Sequence, residues 1–181
     1  DRHGFNNPDH EWDKQKIEFL LIGDSFTHGS CVNEEDTIGS NIREMTNKQG
    51  LLNLGYDGHT PLKEYATLRE YLPYINAKRV LWIYYEGNDL RGLNEHLNNK
   101  ILVNYINNLE FSQKLISKQV EIDLKLTELL ENTYLYNRLQ TNKIFKFLKL
   151  LELRMTIENL LSTNVVVSPE VLNKFQKIIR L

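Results

Sequence analysis

Residues 20–30 read Leu-Leu-Ile-Gly-Asp-Ser-Phe-Thr-His-Gly-Ser, and this stretch decides how the chain is read. Three large apolar residues stop at Gly23-Asp24-Ser25, and a helical pattern then begins. Residues 16–22 (KIEFLLI) form a short apolar run bounded by charge and Gly23, which predicts a buried strand. A serine at the tip of such a strand is either a helix cap or a nucleophile. The residues on either side have to decide between the two.

Working outward, residues 36–47 follow a helical pattern with Asp36 or Thr37 as N-cap. Residues 51–54 (LLNL) predict a second short strand. Pro61 suits the first turn of a helix, and the apolar positions after it continue one. Residues 79–85 (RVLWIYY), rich in β-branched and aromatic side chains, predict a third strand. Alternation of strands and helices at this spacing predicts an α/β fold, with a parallel sheet and helices on both faces. Ligands in such sheets bind beyond the C-terminal strand ends. Three polar, glycine-containing stretches fall there: residues 23–25, 55–60 (GYDGHT) and 86–89 (EGND).

The chain has 181 residues, 41% apolar and 25% charged, which suits one soluble domain with a sizeable core. Its net charge of −2 gives no support to a nucleic-acid partner. Residues 1–100 hold 11 Lys/Arg and 16 Asp/Glu, and residues 101–181 hold 11 and 8, so the second part is mildly basic. With Cys31 alone, no intrachain disulfide forms. No apolar run reaches the ~20 residues of a membrane span. The chain starts at Asp1 and ends inside a helical pattern, so we expect a fragment of a longer protein. Contact with a membrane is expected only through segments outside these residues.

Residues 1–16 are polar, with Gly4 and Pro8, and read as an irregular lead-in; residues 17–181 read as a single domain. Beyond residue 92 the pattern is helical, with an insert expected at about 93–161. Leu115, Ile116, Val120, Ile122, Leu126, Leu129 and Leu130 fall on a broad stripe, and Ile144, Phe145, Leu148, Leu151 and Met155 continue at helical spacing. The plain reading is a helix packed on the sheet; a substrate lid or a membrane-surface helix is the rival. A short strand at 165–167 and a helix start at 171–181 complete the expectations.

Several motifs are excluded at the first loop. A dinucleotide fingerprint needs G-x-G-x-x-G, which residues 23–29 do not supply, and a P-loop needs Lys where Ser30 stands. The hydrolase elbow G-x-S-x-G has Thr27 at its last position. Acyl transfer from an ester needs a nucleophile, donors for the developing oxyanion, and a base. Ser25 at a strand-to-helix turn would expose its hydroxyl near a helix N-terminus. Its own N–H, the N–H of Gly58 and the Asn88 amide would be three donors, each worth ~10²–10³ in turnover. Asp24 would shape the turn through backbone hydrogen bonds. Asp89 would order the loop that carries Asn88. His28 and His59 would line the pocket. No metal-binding motif is evident, and no cofactor is expected.

Gly23-Asp24-Ser25 resembles the first block of the SGNH (GDSL-like) hydrolases. The residues Asn53-Leu54-Gly55-Tyr56-Asp57-Gly58 are similar to the family's glycine block, and Gly87-Asn88-Asp89 to its G-N-D block, in the family's order over residues 17–92. The resemblance implies a flavodoxin-like three-layer sandwich, incomplete at its C-terminus, with a helical insert after the third strand. It implies Ser25 as nucleophile and Ser25, Gly58 and Asn88 as the oxyanion hole. It also implies an esterase or O-acyltransferase acting on a small-molecule or carbohydrate ester, with an extracytoplasmic setting in some members.

One part is missing. The family's base is a histidine in a D-x-x-H or D-x-H block near the C-terminus, and His3, His10, His28, His59 and His96 match no such block. The expectation is that the Asp/His pair and the remaining strands lie outside this chain. A non-catalytic binding domain that keeps the fold is the alternative. A flavodoxin-like nucleotide or phosphate binder using residues 23–29 is a weaker third.

Overall fold

The computed structural model describes residues 1–140 apart from 48 and 88–91, together with 173 and 176. The chain divides into two compact units, one built on Asp1–Ile116 and one on Ser117–Val166. In the first, β1 (Ile17–Ile22) leads into a single helical turn, α1 (Ser25–His28). Helix α2 (Ile38–Met45) connects to β2 (Leu51–Asn53), and α3 (Pro61–Tyr71) to β3 (Ala77–Trp82). Two further helices follow, α4 (Leu93–His96) and α5 (Lys100–Asn107).

The strands form a parallel sheet in the order β2-β1-β3, with Leu20 opposite both Leu52 and Val80. The described residues are therefore a mixed α/β structure around a three-stranded parallel sheet. Leu20, Leu21 and Ile22 are all fully buried, as a central parallel strand covered on both faces requires. Strand β3 leaves the ladder after Trp82, short of the expected residue 85. The Ile83 N–H still donates to the Ile22 carbonyl, and Tyr84 and Tyr85 lie beyond the strand.

Thr37 caps α2 by accepting from the Ser40 N–H at 3.1 Å. Pro61 opens α3, yet Thr60 makes no side-chain cap, because its hydroxyl is paired with His96 Nδ1 at 2.7 Å. The helical stretch after residue 92 breaks into α4 and α5, where Asn99 accepts from the Ile101 and Leu102 N–H groups and starts a new helix. Leu62, Tyr65 and Ala66 of α3 pack against Leu93, Tyr105 and Ile106 in one cluster. At the far end of α3, the buried Glu70 carboxylate accepts from Tyr105 Oη, Ser112 Oγ and the Gln113 and Leu115 N–H groups.

Residues 1–16 hold a 3₁₀ turn at Asp9–Asp13 and contribute to the core. Phe5 is buried edge-on against Tyr71, with ring centroids 5.1 Å apart. The segment also closes the outer edge of β2. Asn7 Oδ1 accepts from the Asn53 N–H at 2.7 Å, and its Nδ2 donates to the Asn53 carbonyl at 2.9 Å. Glu11 Oε2 accepts from the Leu51 N–H at 3.0 Å.

The second unit begins with α6 (Gln119–Gln140). Of the expected stripe, Leu115 and Ile116 belong to the first unit and pack on its core, while Val120, Leu126, Leu129 and Leu130 are exposed. No helix of the described residues is long and apolar enough to cross a membrane. The expectations for residues 141–161 and 165–167, and for 171–181 apart from 173 and 176, lie outside the described residues.

Candidate active site

The turn after β1 answers why the apolar run stops and a helix restarts. Asp24 is buried in extended backbone as the N-cap of α1, and its carboxylate accepts from the Phe26 N–H at 2.9 Å. Gly29, at φ +85°, ends the helix after four residues. Ser25 is therefore the first residue of a single capped turn, half-buried at the C-terminal end of the central strand. One turn aligns few peptide dipoles, so the positive field expected of a helix N-terminus reduces to the local N–H groups of this turn.

Residues 55–60 meet this turn directly. The Tyr56 N–H donates to the Gly23 carbonyl at 3.2 Å. Ser30 Oγ donates to the Asp57 carboxylate. His28 Nδ1 lies 3.1 Å from the Gly55 carbonyl oxygen, which can only accept, so Nδ1 is the donor in this contact. Beneath both loops sits the buried amide of Asn53. Its Nδ2 donates to the Thr27 carbonyl at 2.6 Å, and its Oδ1 accepts from the Gly55 N–H at 2.9 Å.

The glycines of these two turns divide their labour. The sequence offers the Gly58 N–H as an oxyanion donor. In the structure Gly58 is exposed, a Cβ placed there would meet nothing within 4 Å, and its requirement is conformational, φ +68°. The close approaches are at Gly55, where a Cβ would stand 2.7 Å from the His28 N atom, and at Gly23, 2.7 Å from the Ile83 carbonyl. Gly23 and Gly55 let α1 nest between the ends of β1 and β2, with Thr27 fully buried there.

His59 follows Gly58 and packs on Tyr56 with centroids 5.3 Å apart. Its Nδ1 is buried without a hydrogen-bond partner. Burial, followed by Lys63, His96 and His28, pushes its pKa down to about 4, so the ring is neutral at pH 7. Just before the third stretch, Tyr85 packs on Phe26 of α1, with centroids 4.5 Å apart. Asn88 and Asp89 lie outside the described residues.

The edge thus joins the turn that carries Asp24, Ser25 and His28 to the turn that carries Gly58 and His59, with Asn53, Thr27, Phe26 and Tyr85 as supports that the motifs did not mark. Asn53 was within sight as the start of the glycine block; its buried role had no local signal. Among the described residues, no group of three or more His, Cys, Asp or Glu is placed to hold a metal ion. No family model, no curated protein and no solved structure matches the chain.

Proposed function

We propose that the chain carries the nucleophile and part of the oxyanion hole of a serine esterase or O-acyltransferase of the SGNH type, on a flavodoxin-like three-layer sandwich. The observation that supports this reading most is the placement of Ser25. It opens a capped turn at the end of the central strand, tied by the Tyr56 N–H to the neighbouring glycine turn.

In this reading Ser25 Oγ attacks the acyl carbonyl carbon while a base takes its proton. The Ser25 and Gly58 N–H groups and the Asn88 amide hold the oxyanion. Collapse breaks the ester C–O bond, and the departing alkoxide takes the proton from the base. Water or a second hydroxyl then accepts the acyl group from Ser25. The base is assigned to a histidine that is none of the five present. His28 matches no D-x-x-H or D-x-H block, and a ring held neutral down to about pH 4, as His59 is, is a poor proton acceptor.

The test is labelling of the full-length protein with a fluorophosphonate probe. Wild type should label and Ser25→Ala should not. Equal labelling of both removes Ser25 as nucleophile. No labelling of either favours the second reading, a binding domain that keeps the fold without the base.

A further inference from the structure

We propose that the exposed rings of Phe26 and Tyr85 form an open platform beside Ser25 that stacks on the C–H face of a pyranose ring, so that the group presented to this site is a sugar. The assignment of an ester on that sugar rests on the nucleophile reading above; the stacking itself does not.

Phe26 directly follows Ser25, and its N–H is anchored by the Asp24 carboxylate, so the ring has a fixed base. The ring is 55% exposed and Tyr85 is 45% exposed, although the two pack together at 4.5 Å with an interplanar angle of 48°. Neither belongs to either core cluster. Tyr85 is held from below as well: a Cβ on Gly87 would stand 2.6 Å from its ring. The chain therefore keeps two large rings positioned, mutually supported and half in water, the first of them one residue from the candidate nucleophile. Folding gains little from rings left this exposed, since apolar stabilisation scales with the area removed from water.

The openness of the platform selects the ligand. A fatty acyl chain gains most from an enclosed cavity that buries nearly all of its surface. Two half-exposed rings cover only one side of what they bind. A pyranose matches this. One face presents polarised C–H bonds to the negative face of an aromatic ring, while its hydroxyls stay hydrated. The tilt of the two rings presents a shallow corner to such a ring, not a slot.

Saturation-transfer NMR on the full chain tests the proposal, with β-linked tetrasaccharides of glucose, mannose and N-acetylglucosamine as probes and octanoate as competitor. At least one tetrasaccharide should receive saturation on its ring C–H protons with wild type, Ser25→Ala and Phe26→Trp. The signal should fall about fivefold or more with Phe26→Ala and with Tyr85→Ala. Both side chains are exposed, and circular dichroism checks that each variant is folded. Equal saturation in the alanine variants, no saturation by any tetrasaccharide, or displacement of the sugars by octanoate would overturn the platform. Failure of the nucleophile reading shows up elsewhere, as fluorophosphonate labelling that ignores Ser25→Ala, and leaves the sugar signal in place.

Discussion

Adding one methyl group at Gly55 or at Gly58 asks two different things of the same turn. At Gly55 the new Cβ would stand 2.6 Å from Thr27 Cβ and 2.7 Å from the His28 backbone nitrogen, and a backbone atom cannot swing aside. At Gly58 there is room, and only the left-handed backbone resists. Gly55→Ala should therefore cost about 3 kcal/mol, at the upper end for overpacking, and Gly58→Ala about 1 kcal/mol, for left-handed backbone. Urea unfolding midpoints should fall in the order wild type, Gly58→Ala, Gly55→Ala; the reverse order would refute the division of roles. His59 makes a second prediction. Its ordinary pKa is 6.5 and burial lowers it to about 4 in the folded chain. As the pH falls from 6.5, the unfolded chain takes up a proton that the folded chain refuses until about 4. The stability that neutral His59 contributes is thus full above 6.5, lost between 6.5 and 4, and level below that. His59→Asn should flatten this part of the stability profile, measured by urea unfolding at steps from about pH 7 to about pH 4. A parallel profile for variant and wild type would mean that the ring protonates freely when folded.

At the scale of elements, the outer edge of β2 is finished by side chains. Strand β2 has its outward N–H groups answered by side chains, Asn53 by Asn7 and Leu51 by Glu11, each reaching across 40 residues or more. An exposed row of ladder donors invites pairing with another chain, and these side chains remove the invitation. Glu11→Ala should leave the Leu51 N–H buried and unpaired, at a cost of about 1–3 kcal/mol. The double variant with Asn7→Ala should also associate with rising concentration in light scattering. Asp13→Ala removes only an exposed ion pair with Arg2, worth about 0–1 kcal/mol, and serves as control. A Glu11→Ala protein as stable and monomeric as Asp13→Ala would sink the edge-closing role. The contrast explains what the sequence disclosed. Strands β1 and β2, the Pro61 start of α3 and the caps Asp24 and Thr37 are all local patterns of apolar runs and capping residues. Asn7 and Glu11 act over a long sequence separation, so their polar segment carried no periodicity that would mark it as core. The close approach at Gly55 was hidden for the same reason, because it is set by Thr27 and His28 on another element. The stripe from Leu115 to Leu130 is divided, because its first two members fold into one unit and the rest lie on α6 in the other.

For the molecule as a whole, the question is where stability resides. Both buried clusters draw all their described members from Asp1–Ile116, and the outermost of these, Leu115 and Ile116, are held where Glu70 and Arg69 grip the connecting chain. On α6, by contrast, Leu124, Leu126, Leu129 and Leu130 remain exposed. A unit with its own core folds without the rest. Excising Ser117–Val166 and joining the cut ends with a flexible Gly/Ser linker of about ten residues should therefore leave a cooperative thermal transition. Its Tm should lie within about 5 °C of the intact chain, a change of no more than about 1 kcal/mol in a domain of this size. Near-UV circular dichroism reads the same packing through Trp12 and Trp82, both placed against the first cluster. Loss of that signal would show that the first unit depends on the second. Phe26, Tyr85 and Ser25 all lie within Asp1–Ile116, so the excised chain should also keep its saturation-transfer signal. If the fold survived while that signal vanished, the helical insert would be a part of the recognition surface, and the platform would not act alone.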